Sequence, residues 1–128
     1  MKNKELFVSQ MKDRTKKFAV DVIKFCDSLI ACKASSVITY QLVKAATSTG
    51  ANYRAACVSR SEKEFYSKMC IVVEEIDESE YWLSIIVEAD LSNDEPILLR
   101  LFKEASEISK IMTKSRTTVY KRINNKNF

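Results

Sequence analysis

Two pairs of glutamates have the spacing that could support metal chemistry. Glu75 and Glu78 form one pair, and Glu104 and Glu107 form the other. On neighbouring helices these pairs could face each other, but di-iron bundles combine such glutamates with Glu-x-x-His motifs. The sequence contains no histidine. We therefore expect exposed carboxylates here, with no metal and no other cofactor.

Other catalytic arrangements are also poorly supported. Without histidine the chain lacks the usual general base and the Ser-His and Cys-His nucleophile pairs. The single glycine, Gly50, cannot build a glycine-rich phosphate loop. The sequence predicts that the protein is not an enzyme. We expect reduced, buried and inert thiols at four scattered cysteines, which form no Cys-x-x-Cys pair: Cys26, Cys32, Cys57 and Cys70.

Charge is divided along the chain in a way that the net charge of +4 conceals. Residues 1–60 carry eleven basic and four acidic residues, residues 61–109 carry four and thirteen, and residues 110–128 carry six and none. One interpretation is mutual neutralisation on a solvated surface, and another is a phosphate-binding patch. The basic residues predicted for such a patch are Lys12, Arg14, Lys16, Lys17, Lys114, Arg116, Lys121 and Arg122.

The elements that must position these residues are four helices. Gly and Pro occur once each, which leaves few hairpin turns, while apolar residues recur at alternating steps of three and four. Ser35 and Ser36 are candidate caps for the second helix, and Ser61 with Glu64 forms a capping box for the third. The predicted helices are 9–32, 36–58, 62–89 and 96–121.

Short connections between four helices predict one all-α domain, an up-down-up-down four-helix bundle. We assign residues 1–8 to an N-terminal extension, residues 9–122 to the bundle and residues 123–128 to a C-terminal tail. Because helix one would run antiparallel to helix four, the basic start of one would lie beside the basic end of the other.

Several side chains suggest contact with another copy of the chain. The small residues 45–51 allow a close helix approach, either inside the bundle or between subunits, and adjacent aromatic residues exceed what one bundle can bury. The residues predicted for an oligomer interface are Tyr40, Val43, Gly50, Tyr53, Tyr81 and Trp82.

The sequence has no signal for export or membrane insertion. The N-terminus lacks the apolar region and cleavage site of a secretory signal, and no uncharged apolar run approaches the ~18 residues of a membrane span. We expect a cytoplasmic protein without membrane association.

Three separated blocks carry a family resemblance: 50–57 (GANYRAAC), 60–65 (RSEKEF) and 74–83 (EEIDESEYWL). Together they resemble the bacterial four-helix bundle family of 23S ribosomal RNA intervening-sequence proteins. Residues 18–23 and 41–48 extend the resemblance, which covers most of residues 10–120. Many family members have Glu where this chain has Ala55.

The resemblance implies a left-handed four-helix bundle that forms a ring-like homopentamer. It also implies similarity to the accessory protein of diversity-generating retroelements, which binds nucleic acid and a reverse transcriptase. Two functions remain open: a non-catalytic oligomer that binds RNA or DNA phosphates, and a scaffold that docks a reverse-transcriptase-like or other protein through helix three.

Overall fold

Four long α-helices account for nearly all of the described chain. The structure, a computed structural model, describes residues 2–125. Within this range the helices are α1 (Asn3–Cys26), α2 (Lys33–Cys57), α3 (Glu62–Glu88) and α4 (Glu95–Asn125). Residues 2–125 contain no β-strand, and one isolated bridge joins Leu29 to Ser92. The predicted all-α four-helix bundle is confirmed.

Each helix runs antiparallel to the next, and α4 returns to lie beside α1. On the α1–α4 side, Arg14 contacts Glu104 and Asp21 contacts Arg100, so residue numbers rise on one helix as they fall on the other. The α3–α4 side has the same arrangement, with Glu62 beside Arg122 and Tyr66 against Tyr120. The chain therefore has the up-down-up-down topology that the short connections predict.

The apolar stripes meet along the centre of the bundle. Phe18, Val22, Leu42, Ile76 and Ile108 have at most 1% of their surface exposed. Alternating steps of three and four place such side chains on one face of each helix, which is why periodicity in the sequence identified the core. The predicted stripe residues that are buried in α4 are Leu98, Leu101, Ala105, Ile108, Met112 and Val119.

The first helix differs most from its predicted bounds of 9–32. It begins at Asn3, so residues 3–8 are helical and do not form a separate extension. It ends at Cys26, because the next residues bond to the α3–α4 connection: Ile30 N–H donates to the Leu91 carbonyl at 2.8 Å, and Asn93 N–H donates to the Ser28 carbonyl at 3.0 Å. The apolar periodicity of the sequence continues past Cys26 because Leu29 is buried in the core, although it lies in a loop.

The remaining boundaries differ by smaller amounts. Helix α2 begins at Lys33, with Cys32 at the cap position and without a side-chain cap, so the predicted caps at Ser35 and Ser36 are wrong. At α3 the Ser61 hydroxyl accepts from the Glu64 amide at 3.1 Å, as predicted. Helix α4 continues through residues 123–125 of the predicted tail, and residues 126–128 lie outside the described part of the chain.

Candidate nucleic-acid interface

Basic side chains gather at one end of the bundle, where α1 begins and α4 ends. Lys4, Arg60, Lys114 and Arg122 line one cavity mouth at this end, and we call these four residues the basic end. Glu62 is the one carboxylate among the described residues that line the cavity, and its Oε2 lies 3.0 Å from Arg122 Nε. Arg60 Nε also lies 3.7 Å from Glu64 Oε2, so two of the four cations are paired with carboxylates and the mouth keeps a smaller excess of positive charge.

Helix geometry separates the cations of α4 into two groups, and Lys114 and Arg122 of the first group line the mouth. At about 100° per residue, Lys114, Lys121 and Arg122 fall within one arc of α4, and the buried Met112 and Val119 lie outside it. Arg116 lies on another side of the helix, where its charge lowers the pKa of Tyr66, although a hydrogen bond with Cys70 is the larger influence and raises it. Arg116 is therefore separate from the other three cations.

The predicted basic residues of α1 do not form one surface. Arg14 Nε and Nη2 donate to the Glu104 carboxylate at 2.8 and 2.7 Å, and Lys17 Nζ lies 3.1 Å from Asp21. These two charges are compensated within the chain. Lys12 and Lys16 lie on the opposite side of α1 from Arg14, because two residues correspond to about 200° of helix rotation.

Sequence reasoning missed two residues of the basic end. Lys4 was assigned to the predicted N-terminal extension and was not included in the predicted patch, although it lies in the first turn of α1. Arg60 lies in the α2–α3 connection, and the sequence analysis treated it only as part of a capping segment. The available signal was a basic residue in a connection that lies beside the end of α4. Recognising this signal required knowing how α1, α3 and α4 are aligned along the bundle.

The predicted interface residues fall into two groups. Tyr40 and Tyr81 are 66% and 55% exposed, and Trp82 packs edge-on against Tyr81 with ring centroids 5.1 Å apart. Gly50 and Tyr53 are buried within the chain, so neither presents a surface to another copy. Val43 is half-buried against the core.

Gly50 permits a close contact inside the bundle. A Cβ atom at this position would lie 3.3 Å from the Thr15 hydroxyl of α1. That hydroxyl donates to the Met11 carbonyl at 2.9 Å, which fixes its position. The small residues of α2 therefore bring α1 and α2 together within the chain, the first of the two alternatives that the sequence left open.

The two glutamate pairs identified in the sequence interact with neighbouring charged side chains. Glu104 and Glu107 both contact Arg14, at 2.7 and 3.6 Å. Burial and the neighbouring Glu78 carboxylate raise the pKa of Glu75, and the nearby Lys44 opposes this shift. Across residues 2–125, no group of three His, Cys, Asp or Glu side chains is arranged to hold a metal ion.

The four cysteines are all free, but they are not all buried. Cys26, Cys57 and Cys70 are half-buried, whereas Cys32 is exposed at the start of α2. The Cys32 sulfur lies 3.3 Å from the Ser35 hydroxyl, and this hydrogen bond lowers the pKa of the thiol. The expectation of a buried, inert thiol is therefore wrong for Cys32. Burial raises the pKa of Cys26.

Each helix has an apolar side that faces the core and a polar side that faces solvent. None of them, over residues 2–125, combines the length and apolar character needed to cross a membrane. An antiparallel four-helix bundle with a basic end and an acidic α3 is the class of protein that these features define.

The chain belongs to the family of 23S rRNA-intervening sequence proteins, whose family model matches residues 8–114. It is similar to a crystal structure from Bacteroides thetaiotaomicron, described as a protein with unknown function from the S23 ribosomal protein family. The two share 26% sequence identity with a TM-score of 0.74, and the match covers 83% of this chain and 97% of that one. No protein of curated function matches this sequence.

Proposed function

We propose that this protein is a non-catalytic homo-oligomer that binds RNA or DNA through phosphates at the basic end. The observation that carries the proposal is the meeting of cations from three separate segments at one mouth: Lys4 from α1, Arg60 from the α2–α3 connection, and Lys114 with Arg122 from α4. Flexible ammonium and guanidinium groups on helix ends suit a phosphate backbone, which presents charge without requiring a fixed sequence.

Oligomerisation would strengthen this interaction. The exposed Tyr40 and Val37 of α2 provide an apolar surface for another copy, with 66% and 60% of their surfaces exposed. Five copies, the number implied by the family resemblance, would multiply a monomer charge of +4 to about +20. A cytoplasmic location is consistent with four free cysteines.

A protein scaffold is the second candidate, and the outer surface of α3 favours it. Tyr81 is 55% exposed and lies among the carboxylates of Asp77, Glu78 and Glu80. An aromatic residue surrounded by acidic groups suits a basic protein partner, which could be reverse-transcriptase-like. This surface would repel nucleic acid, so the two candidates use different faces of the bundle.

A titration of mixed-sequence RNA and DNA, followed by fluorescence anisotropy from about 50 to 200 mM salt, tests the proposal. The variant Lys4→Ala/Lys114→Ala, which removes two cations of the basic end, should weaken binding and reduce the slope of log affinity against log salt by about 1.4 for single strands, because each lost phosphate contact contributes ~0.7.

The matched control is Lys24→Ala/Lys33→Ala, which removes the same charge from exposed positions at the other end of the bundle. It should change the slope by less than half as much. If the unmodified protein binds neither RNA nor DNA at about 50 mM salt, the nucleic-acid proposal fails and the scaffold replaces it.

A further inference from the structure

A large cavity opens beneath the basic end. Its volume is about 730 Å³, and its mouth is formed where α1 and α3 begin and α2 and α4 end. The walls are mainly apolar and include Phe7, Val8, Ala56, Phe65, Ile111 and Val119. Cavities that hold small molecules have volumes of roughly 300–1,000 Å³ and similar apolar walls.

Side chains of mixed size surround the space. The small Ala56 and Ser115 line it together with the large Tyr53 and Phe65. Phe7, which also lines it, remains 41% exposed. The space opens to solvent at the end of the bundle, and an apolar occupant would remove its apolar lining from water.

The charged residues that line the cavity are Lys4, Arg60, Glu62, Lys114 and Arg122. Lys4 and Arg60 are exposed, and the Arg60 side chain retains 92% of its accessible surface. Their apolar stems and charged ends allow them to close over an apolar ligand while holding an anionic group at the surface. The cationic rim therefore selects for negative charge at one end of the ligand.

Ser59 adds a specific polar feature. It lines the cavity, and its hydroxyl oxygen is buried without a hydrogen-bond partner among the described residues. A buried hydroxyl without a partner is costly, and such groups in native proteins usually have an explanation. Because the hydroxyl is buried, an anionic oxygen of a ligand could accept from it only after the Ser59 side chain turns toward the cavity.

We propose that the cavity binds an amphipathic monocarboxylate, with an acyl chain of fatty-acid type inside and the carboxylate at the cationic rim. Apolar walls without a second cluster of cations favour one chain with one anionic group. A nucleobase would leave its ring nitrogens and carbonyls facing apolar walls, so the cavity suits an acyl chain better. Both proposals use the four cations of the basic end, but only this one also uses the apolar walls below them.

Displacement of the fluorescent probe 11-(dansylamino)undecanoate tests the proposal on the full chain. We expect one probe per chain, displaced by laurate. Octanoate should compete about a hundredfold less well, because it buries four fewer methylene groups. Undecyltrimethylammonium, which has the same alkyl tail and the opposite charge, should compete at least about tenfold less well. Equal competition by this cation would overturn the proposal.

Two variants test the position of the ligand. Thr118→Trp fills the cavity from an exposed wall position, which preserves the core, and should weaken probe binding more than tenfold. Lys4→Ala/Arg60→Ala removes rim charge and should weaken laurate binding about tenfold, whereas Lys24→Ala/Lys33→Ala should leave it unchanged. Unchanged affinity in Thr118→Trp would exclude this cavity as the site.

Two further measurements test whether a nucleobase or a membrane surface is bound here instead of the acyl carboxylate. Stoichiometric displacement of the probe by an oligonucleotide would assign the cavity to a nucleobase and overturn the proposal. Sedimentation of the protein with phosphatidylglycerol vesicles, without binding of monomeric laurate, would assign the rim to a membrane surface and also overturn it. Thr118→Trp should retain RNA affinity because it removes no cation, so failure at the cavity is distinguishable from failure of the proposed function.

Discussion

The guanidinium of Arg14 forms two hydrogen bonds with the carboxylate of Glu104, at 2.8 and 2.7 Å. The bonds join α1 to α4, and Glu107 contributes a second carboxylate at 3.6 Å from Arg14 Nη2. Two parallel bonds between a planar guanidinium and a carboxylate form the strongest class of ion pair. This pair therefore fixes the register of α1 against α4 and removes Arg14 from the charge available to a phosphate.

Replacement of Arg14 separates a structural role from a binding role. Arg14→Ala should reduce the free energy of unfolding by about 1 kcal/mol, since both partners are partly exposed and solvent weakens the pair. Urea denaturation measures this loss. Lys17→Ala, which breaks an exposed pair within one helix, should cost less than about 0.5 kcal/mol. If Arg14→Ala weakens RNA binding as much as Lys114→Ala, the structural assignment is wrong.

A pair of single substitutions on α4 tests which side of the helix meets nucleic acid. Lys121→Ala should weaken RNA binding, because Lys121 shares an arc of the helix with Lys114 and Arg122. Arg116→Ala removes the same charge on another side of α4, beside Tyr66, and should have less than half the effect. Anisotropy titrations at about 50 mM salt measure both. Equal effects would indicate diffuse attraction to net charge.

The fold could be predicted from the sequence because apolar residues recur at the helical period that the core positions require. Leu98, Leu101, Ala105 and Ile108 follow the helical period and are all buried. The end of α1 could not be predicted in the same way. Leu29 continues the apolar period and is buried, but it lies in a connection whose backbone bonds to the α3–α4 connection.

The candidate site was less predictable than the fold. Which cations are compensated depends on the rotation of each helix about its axis and on register. Arg14 and Lys12 are two positions apart, yet Arg14 faces Glu104 while Lys12 lies on the opposite side of α1. The residues around Arg14 and Lys12 do not explain this difference, because it depends on which side of α1 faces α4.

Substitution of Tyr40 tests the oligomer. Tyr40→Glu introduces a charge into the exposed apolar surface that includes Val37 and should shift the protein toward a 14.7 kDa species. Multi-angle light scattering measures the mass at micromolar concentration. Tyr81→Glu is the matched substitution on α3, and a stronger effect there would place the interface on α3. A 14.7 kDa mass for the unmodified protein would exclude self-association at that concentration.

The contributions of Asp21 and Glu75 to stability should change with pH in opposite directions. Burial raises the pKa of Asp21, but hydrogen bonds and charge from Lys17 and Arg100 outweigh it, so the native pKa is lowered. Its stabilising contribution is complete above about pH 4 and is lost as the pH falls through the native pKa. Asp21→Asn should therefore destabilise the protein at pH 7, and this difference should narrow below pH 4.

Glu75 has a raised native pKa, so its charged form disfavours folding once the pH exceeds that value. Glu75→Gln should increase stability at pH 7, by roughly 0.5 kcal/mol for a partly exposed group, and should have no effect at pH 3. Urea titrations at both pH values measure this change. A loss of stability in Glu75→Gln at pH 7 would mean that attraction to Lys44 exceeds the cost of burial.

The thiols should differ in reactivity because only Cys32 combines exposure with a lowered pKa. The Ser35 hydroxyl, 3.3 Å from the sulfur, favours the thiolate, which is the reactive form. With Ellman's reagent at about pH 7.5, one thiol per chain should react rapidly, and Cys32→Ser should abolish this phase. Ser35→Ala should slow it while leaving its amplitude at one thiol. A rapid phase that survives Cys32→Ser would assign the reactive thiol to a half-buried cysteine that becomes exposed by local opening.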